Sequence, residues 1–323
     1  MDAVRRLADA VLYEGYILWP YRRSAPKNQK RWTFGGVFPP VHSDRHPDDR
    51  SAVQAQCLVE GVEGAGVEVS VRFLQVVRRR LANGRDFVDE VRVNGTRHLA
   101  WDEAVERDIV ARTPLRPGTA ETPISVSRSV AAEPLGEGGA TVRSWETLVG
   151  SVMLGVERLN GELHRLTVRV SNETPWVGDE REEALRHSFC SLHVVLSGDG
   201  CAFVSATDPP AEMSDAAAAC VNEGLWPVLV GEEGARDTML AAPIILEDYA
   251  RIAPESPGDL FDAGEIDRLL ILNVLSLTAA EQEEMRATDP RVREILDRCA
   301  ALGPEALLPL HGAIRDFRAA AAE

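Results

Sequence analysis

The densest set of groups able to do chemistry lies between Leu12 and Pro39. This stretch holds three of the chain's four tyrosines, Tyr13, Tyr16 and Tyr21, and two of its six tryptophans, Trp19 and Trp32. Arg22, Arg23, Lys27, Lys30 and Arg31 stand among them. A guanidinium binds a carboxylate or phosphate through paired N–H bonds, and Trp, Tyr and Arg dominate binding hot spots. The segment therefore reads as a partner-binding surface, with Tyr21, Arg22, Arg23, Lys27, Lys30, Arg31 and Trp32 as its candidate residues. The plainer account is that these cations pair with the chain's own acids, as most surface ions do without functional consequence.

A second group is acidic. Asp248, Glu255, Asp259, Asp262 and Glu265 fall within residues 248–267, together with Asp267. Paired carboxylates serve as acid and base or hold a divalent ion. Their spacing is not that of a calcium-binding loop, and the plainer account is a rigid acidic loop leading to a helix N-terminus, where negative charge favours the dipole. One expectation joins the two groups: the acidic loop packs beside the basic aromatic segment.

Two histidine clusters follow. His42, Asp44, His46, Asp48 and Asp49 have side-chain types that suit zinc or non-haem iron, but the ligand set is incomplete. His187, Cys190 and His193 would, on a strand, put the two imidazoles on one face and the thiol on the other. That favours packed core residues over a Cys–His nucleophile pair. There is no P-loop, no GxGxxG fingerprint, no GxSxG elbow and no HExxH. The commonest enzyme classes drop out, and no catalytic residue, metal or cofactor is assigned.

The whole chain is acidic, with 35 basic against 51 acidic side chains and a net charge of −16. That argues against nucleic acid or anionic membrane as partner of the general surface. Five scattered cysteines without a CxxC pair read as reduced thiols of a cytoplasmic protein. The N-terminus does not read as a signal peptide, and no run approaches the ~18 apolar residues of a membrane helix.

The elements that must position these groups change character along the chain. Residues 1–10 suggest a helix, 11–19 an extended segment, and 32–38 a strand bent at Gly35-Gly36. From 51 to about 208 the apolar period is two, with strands expected over 54–60, 67–78, 87–93 and 109–112. Asn83-Gly84, Asn94-Gly95 and Asn160-Gly161 signal hairpins, because such turns need positive φ. A further hairpin is expected over 188–206, around Ser197-Gly198-Asp199-Gly200. Residues 116–123 read as a proline-rich loop. Beyond 208 helix signals take over: an Ala-rich helix over 210–220, a capping box at Thr278 and Glu281, and a cap at Asp289 before Pro290. The expected class is α+β, an antiparallel β-sandwich or open barrel body with a helical C-terminal region. Three regions are drawn, 1–50, 51–208 and 209–323.

Several stretches carry a family resemblance: Leu12-Tyr-Glu-Gly-Tyr16, Arg31-Trp-Thr-Phe-Gly35, Thr207-Asp-Pro-Pro210, Trp226-Pro-Val-Leu-Val-Gly231 and Ile252 to Asp262. With these the chain resembles an uncharacterised bacterial family encoded near oxygen-tolerant nickel–iron hydrogenases. The resemblance implies a non-catalytic accessory or assembly protein in hydrogenase maturation, with a hydrogenase subunit or its maturation factors as protein partner. The competing expectations are a metal-dependent enzyme or metalloprotein using the acidic loop carboxylates or the histidines, and a structural subunit of a larger complex.

Overall fold

The computed structural model describes residues 2–29, 31–32, 34–136, 138–251 and 267–301. Helix α1 spans Asp2–Tyr13, and the single turn α2 spans Pro40–Ser43. Strand β1 runs over Ala52–Asn83, followed by β2 (Asp86–Val88), β3 (Glu90–Val93), β4 (Thr96–Leu99) and β5 (Trp101–Pro114). Next come β6 (Gly118–Val126), β7 (Ser129–Gly136), β8 (Gly139–Trp145), β9 (Leu148–Asn160) and β10 (Leu163–Asn172). Helix α3 (Arg181–Leu185) leads into β11 (Cys190–Phe203), then α4 (Ser214–Ala218), β12 (Trp226–Leu229) and β13 (Thr238–Ala242). Helices α5 (Asp267–Leu275), α6 (Ala279–Thr288) and α7 (Pro290–Ala300) follow.

The fold is α+β, mostly antiparallel strand, with its sheet curled into a half-barrel and its helices mostly C-terminal. Among the described residues, 11 strands join one sheet, with β3 and β4 forming a separate pair. Strand β1 is its spine. Its first part pairs with β10, its middle lies between β11 and β5, and its end lies beside β8 and β2. Strands β12 and β13 extend the same sheet beyond β11.

Period-two alternation explains the two layers. Val67, Val69, Val71 and Phe73 of β1 face a core shared with Leu166, Val168 and Val194. Leu74 and Val76 enter a second core, where α1 and the following turn supply Leu12, Tyr13 and Tyr16. The C-terminal helices add Leu270, Met285 and Ile295 to that second core. Each such side chain, fully buried, stabilises by about 1.5–3 kcal/mol. The Thr278–Glu281 capping box is present, and Asp289 accepts from the Arg291 amide at the start of α7. Asp289 also accepts from the Tyr16 hydroxyl at 2.7 Å, which ties the N-terminal segment to the helices.

The Asn94-Gly95 hairpin joins β3 to β4, with both central residues at positive φ, and Asn160-Gly161 joins β9 to β10. Strand β1 leads through Gly84 into β2. Other expectations are corrected. Residues 11–13 belong to α1, because Val11 and Leu12 continue its apolar face. Residues 32–38 contribute only an isolated bridge, Val37 to Phe189. The strands expected over 54–60 and 67–78 are one strand with a register shift between Gly61 and Gly66. A side chain at Gly61 would come within 2.7 Å of Cys201 and Leu115, so the chain bends there without reversing. The hairpin expected over 188–206 is the continuous β11, which passes Gly200 at φ +70° opposite that same bend. Residues 87–93 divide between β2 and β3. The proline-rich stretch becomes β6, which pairs only with β9, and an edge strand tolerates Pro123. No helix among the described residues is long and apolar enough to cross a membrane.

Candidate functional site

A cleft of about 1090 Å³ lies between the end of β1, the N-terminal segment and α3. That volume lies at the upper end of ligand clefts, which run to roughly 1,000 Å³. Arg78, Arg79 and Arg80 come to it from β1, Arg23 and Arg31 from the N-terminal segment, and Arg181 and Arg186 from α3 and its C-terminal end. Against these cations stand three carboxylates, Asp89, Asp102 and Glu182. In a chain whose net charge is −16, this is a local reversal of sign.

Some of the cleft arginines are matched within the molecule. Arg23 pairs with Asp89 at 3.1 Å, Arg181 with Asp49 at 3.2 Å, and Arg186 with Asp102 at 3.0 Å and with Glu183. Arg79 is buried and bonded to Glu103 at 2.7 Å. Arg78 and Arg80 differ. Arg78 is exposed and forms no ion pair among the described residues, although its charge, after that of Arg186, helps hold the Glu183 carboxyl down. Arg80 lies over the Phe87 ring at 3.9 Å and forms no ion pair there either.

Arg31 forms the floor. It is 6 % exposed, and its guanidinium carbon lies 4.1 Å from the Trp32 ring centroid and 3.7 Å from that of Trp101. Its N–H groups donate to the carbonyls of Tyr16, at 3.3 Å, and Asp102. Burial holds this guanidinium below the usual arginine range. Trp32 carries φ +52°, a conformation a bulky residue keeps only when packing fixes it. Replacing Arg31 by Ala is expected to destabilise the protein by about 2 kcal/mol or more, through lost cation–π contacts and two unpaired carbonyls. Arg31→Lys should restore little of this, because an ammonium cannot lie flat between two indoles. Urea unfolding midpoints of the two variants check both statements.

Four donors on cleft-lining residues lack a hydrogen-bond partner among the described residues: Trp32 Nε1, Trp101 Nε1, Arg80 Nε and Arg186 Nε. All are N–H groups. An arrangement rich in unmatched donors and positive charge suits a ligand that supplies acceptors and negative charge.

The residues singled out from sequence separate. Arg23, Arg31 and Trp32 line the cleft. Tyr21 is fully buried and packs edge-on against Trp19. Arg22 pairs with Glu281 of α6 at 3.1 Å, outside the cleft lining. Lys27 is exposed. Lys30 lies outside the described residues, as do Glu255, Asp259, Asp262 and Glu265, so the packing of acidic loop against basic segment falls outside them too. Asp248 is described. Its carboxylate accepts from the Thr207 hydroxyl at 2.8 Å and the Leu229 amide at 2.8 Å, and so fastens the 205–208 turn to β12.

One histidine of each cluster, His42 and His193, is packed inside the protein. His42 is buried, stacks on Phe38 at 4.8 Å and bonds Asp49 at 2.9 Å. Among the described residues, no group of three or more His, Cys, Asp or Glu is placed to hold a metal ion. Cys190 and His193 are both fully buried. Burial pushes the Cys190 thiol up to about 12 and, helped by the Arg72 charge, the His193 imidazole down to about 3. A thiol held up and an imidazole held down do not make a nucleophile pair. The His193 shift sets a pH dependence. Between 6.5 and about 3 the unfolded chain binds a proton that the folded chain excludes. Stability fully present above pH 6.5 is therefore lost as pH falls through that window. In His193→Gln the loss should be shallower; equal slopes of unfolding free energy against pH would contradict this.

Sequence reasoning missed Arg78, Arg80, Phe87, Trp101 and Arg186. The available signal was the uninterrupted run Arg78-Arg79-Arg80 at the end of an apolar strand. No family model matches the chain, and no curated protein matches it.

Proposed function

We propose that this protein is a non-catalytic accessory protein that holds an acidic segment of a partner protein in the arginine-lined cleft. The observation that carries this reading is the pair Arg78 and Arg80, cations that form no ion pair among the described residues, set beside buried donors that also lack acceptors. Natural proteins rarely leave buried donors unpaired, and a bound acceptor would satisfy them. The resemblance of the 12–16, 31–35 and 207–210 stretches directs the search for the partner toward a nickel–iron hydrogenase subunit or its maturation factors. Five free cysteines accord with a reducing cytoplasmic setting.

The test is affinity capture from the native cell followed by mass spectrometry, with wild type and an Arg78→Glu/Arg80→Glu variant side by side. A specific protein retained by wild type and lost from the variant supports the reading. Identical captures by both would remove the cleft from the interface. The Arg31→Ala/Trp32→Ala pair, natural to choose from sequence, is a poor probe, because both side chains are packed inside.

A further inference from the structure

We infer that the cleft reads the spacing of its ligand, taking an extended acidic peptide whose carboxylates fall on alternate residues. This rests on the reading of the cleft as a site for an acidic protein segment. Arg78 and Arg80 lie two residues apart on β1, so both project from one face of the strand, about 7 Å apart along it. Both also line a smaller hollow of about 120 Å³, where Arg186, Glu146 and Glu183 stand with them, so a ligand there must outcompete two carboxylates that form no ion pair with Arg78 or Arg80. The intervening Arg79 also borders the cleft but lies on the opposite face of the strand and is occupied by Glu103 and by α6. Side chains two apart on an extended peptide repeat at the same interval, so an acid–x–acid segment laid along β1 presents one carboxylate to each guanidinium. A helical segment, whose neighbours on one face lie three or four residues apart, does not match this row.

The aromatic groups argue for peptide over single-stranded nucleic acid. Nucleic-acid grooves offer ring faces on which bases stack. Here Trp32 and Trp101 are 5 % and 7 % exposed and hold Arg31 between them. Phe87 is 53 % exposed, but Arg80 covers one of its faces. Neither tryptophan offers an open face to a base and Phe87 has one face taken, while the N–H donors still lack acceptors among the described residues.

The experiment is fluorescence anisotropy on the full chain at low salt with three labelled probes: a peptide repeating Glu-Ser, one of equal composition repeating Glu-Glu-Ser-Ser, and oligo-dT. The Glu-Ser repeat should bind about tenfold tighter than the blocked repeat. Arg78→Ala and Arg80→Ala should each erase that preference, while Arg116→Ala, exposed beyond the Pro114 end of β5 and so away from Trp101 at its other end, should keep it. Equal affinity of the two peptides for wild type would overturn the spacing rule and leave acidic capture standing. Failure of both peptides to bind, whether or not oligo-dT binds, would overturn the rule and the proposed function together. The melting temperatures of all variants, expected to stay close to wild type because these side chains hold no ion pair among the described residues, guard against a folding artefact.

Discussion

Charge reversal at Arg78 and Arg80 is expected to weaken capture of an acidic ligand on the order of a hundredfold, since two attractive pairs become repulsive ones. The same double change should leave unfolding free energy within about 0.5 kcal/mol of wild type. The separation follows from the structure. Arg78 is exposed and forms no ion pair among the described residues, and the Arg80 guanidinium lies over the Phe87 ring. Neither guanidinium holds an ion pair among the described residues, so binding should fall far more than stability. Parallel binding isotherms and urea melts measure the two effects. A large stability loss with intact binding would reverse the assignment.

Arg79, flanked by these two, should behave in the opposite way. Its Nη1 donates to Glu103 at 2.7 Å, and its Nε donates to the Leu99 carbonyl at 3.1 Å. Its Nη2 donates to the carbonyls of Ala287 at 3.2 Å and Thr288 at 2.5 Å, at the end of α6. Those carbonyls have no partner inside the helix, and a cation there also opposes the negative end of the dipole. Glu103 is held from the other side by Arg143 at 2.7 Å. Arg79→Met keeps the volume but leaves one side of a partly buried carboxylate and a helix end unpaired. The expected cost is about 3–5 kcal/mol, visible as a lower urea midpoint and faster amide exchange in α6. An unchanged midpoint would show that the helices are held by their apolar faces alone. Three consecutive arginines thus divide into two for the ligand and one for the fold.

The legible parts of this chain were those decided by neighbours in sequence. Asn94-Gly95 fixes a hairpin because both residues must take positive φ, and Thr278 with Glu281 fixes a helix start because the two reach each other's amides. The division of β1 into two strands was misread because Gly61 and Gly66, which elsewhere mark a turn, here allow a bend against Cys201 and Leu115. The candidate site was legible only in part. Strand periodicity puts Arg79 opposite Arg78 and Arg80, but which face meets open cleft depends on α6, some two hundred residues later in the chain. Arg31 and Trp32 stood out by composition. Trp101, which completes the stack around Arg31, and Arg186, which closes the cleft, come from β5 and the end of α3. No local pattern announces either meeting. Composition also could not separate exposed from enclosed cations, so Tyr21, Arg31 and Trp32 looked like surface while they are core.

Calorimetric titration of the intact protein with poly-glutamate, at low and at high salt, tests the binding claim most directly. Saturable binding that weakens with salt and disappears in Arg78→Glu/Arg80→Glu is the expected result. No binding at low salt, or binding that the double variant retains in full, would contradict it.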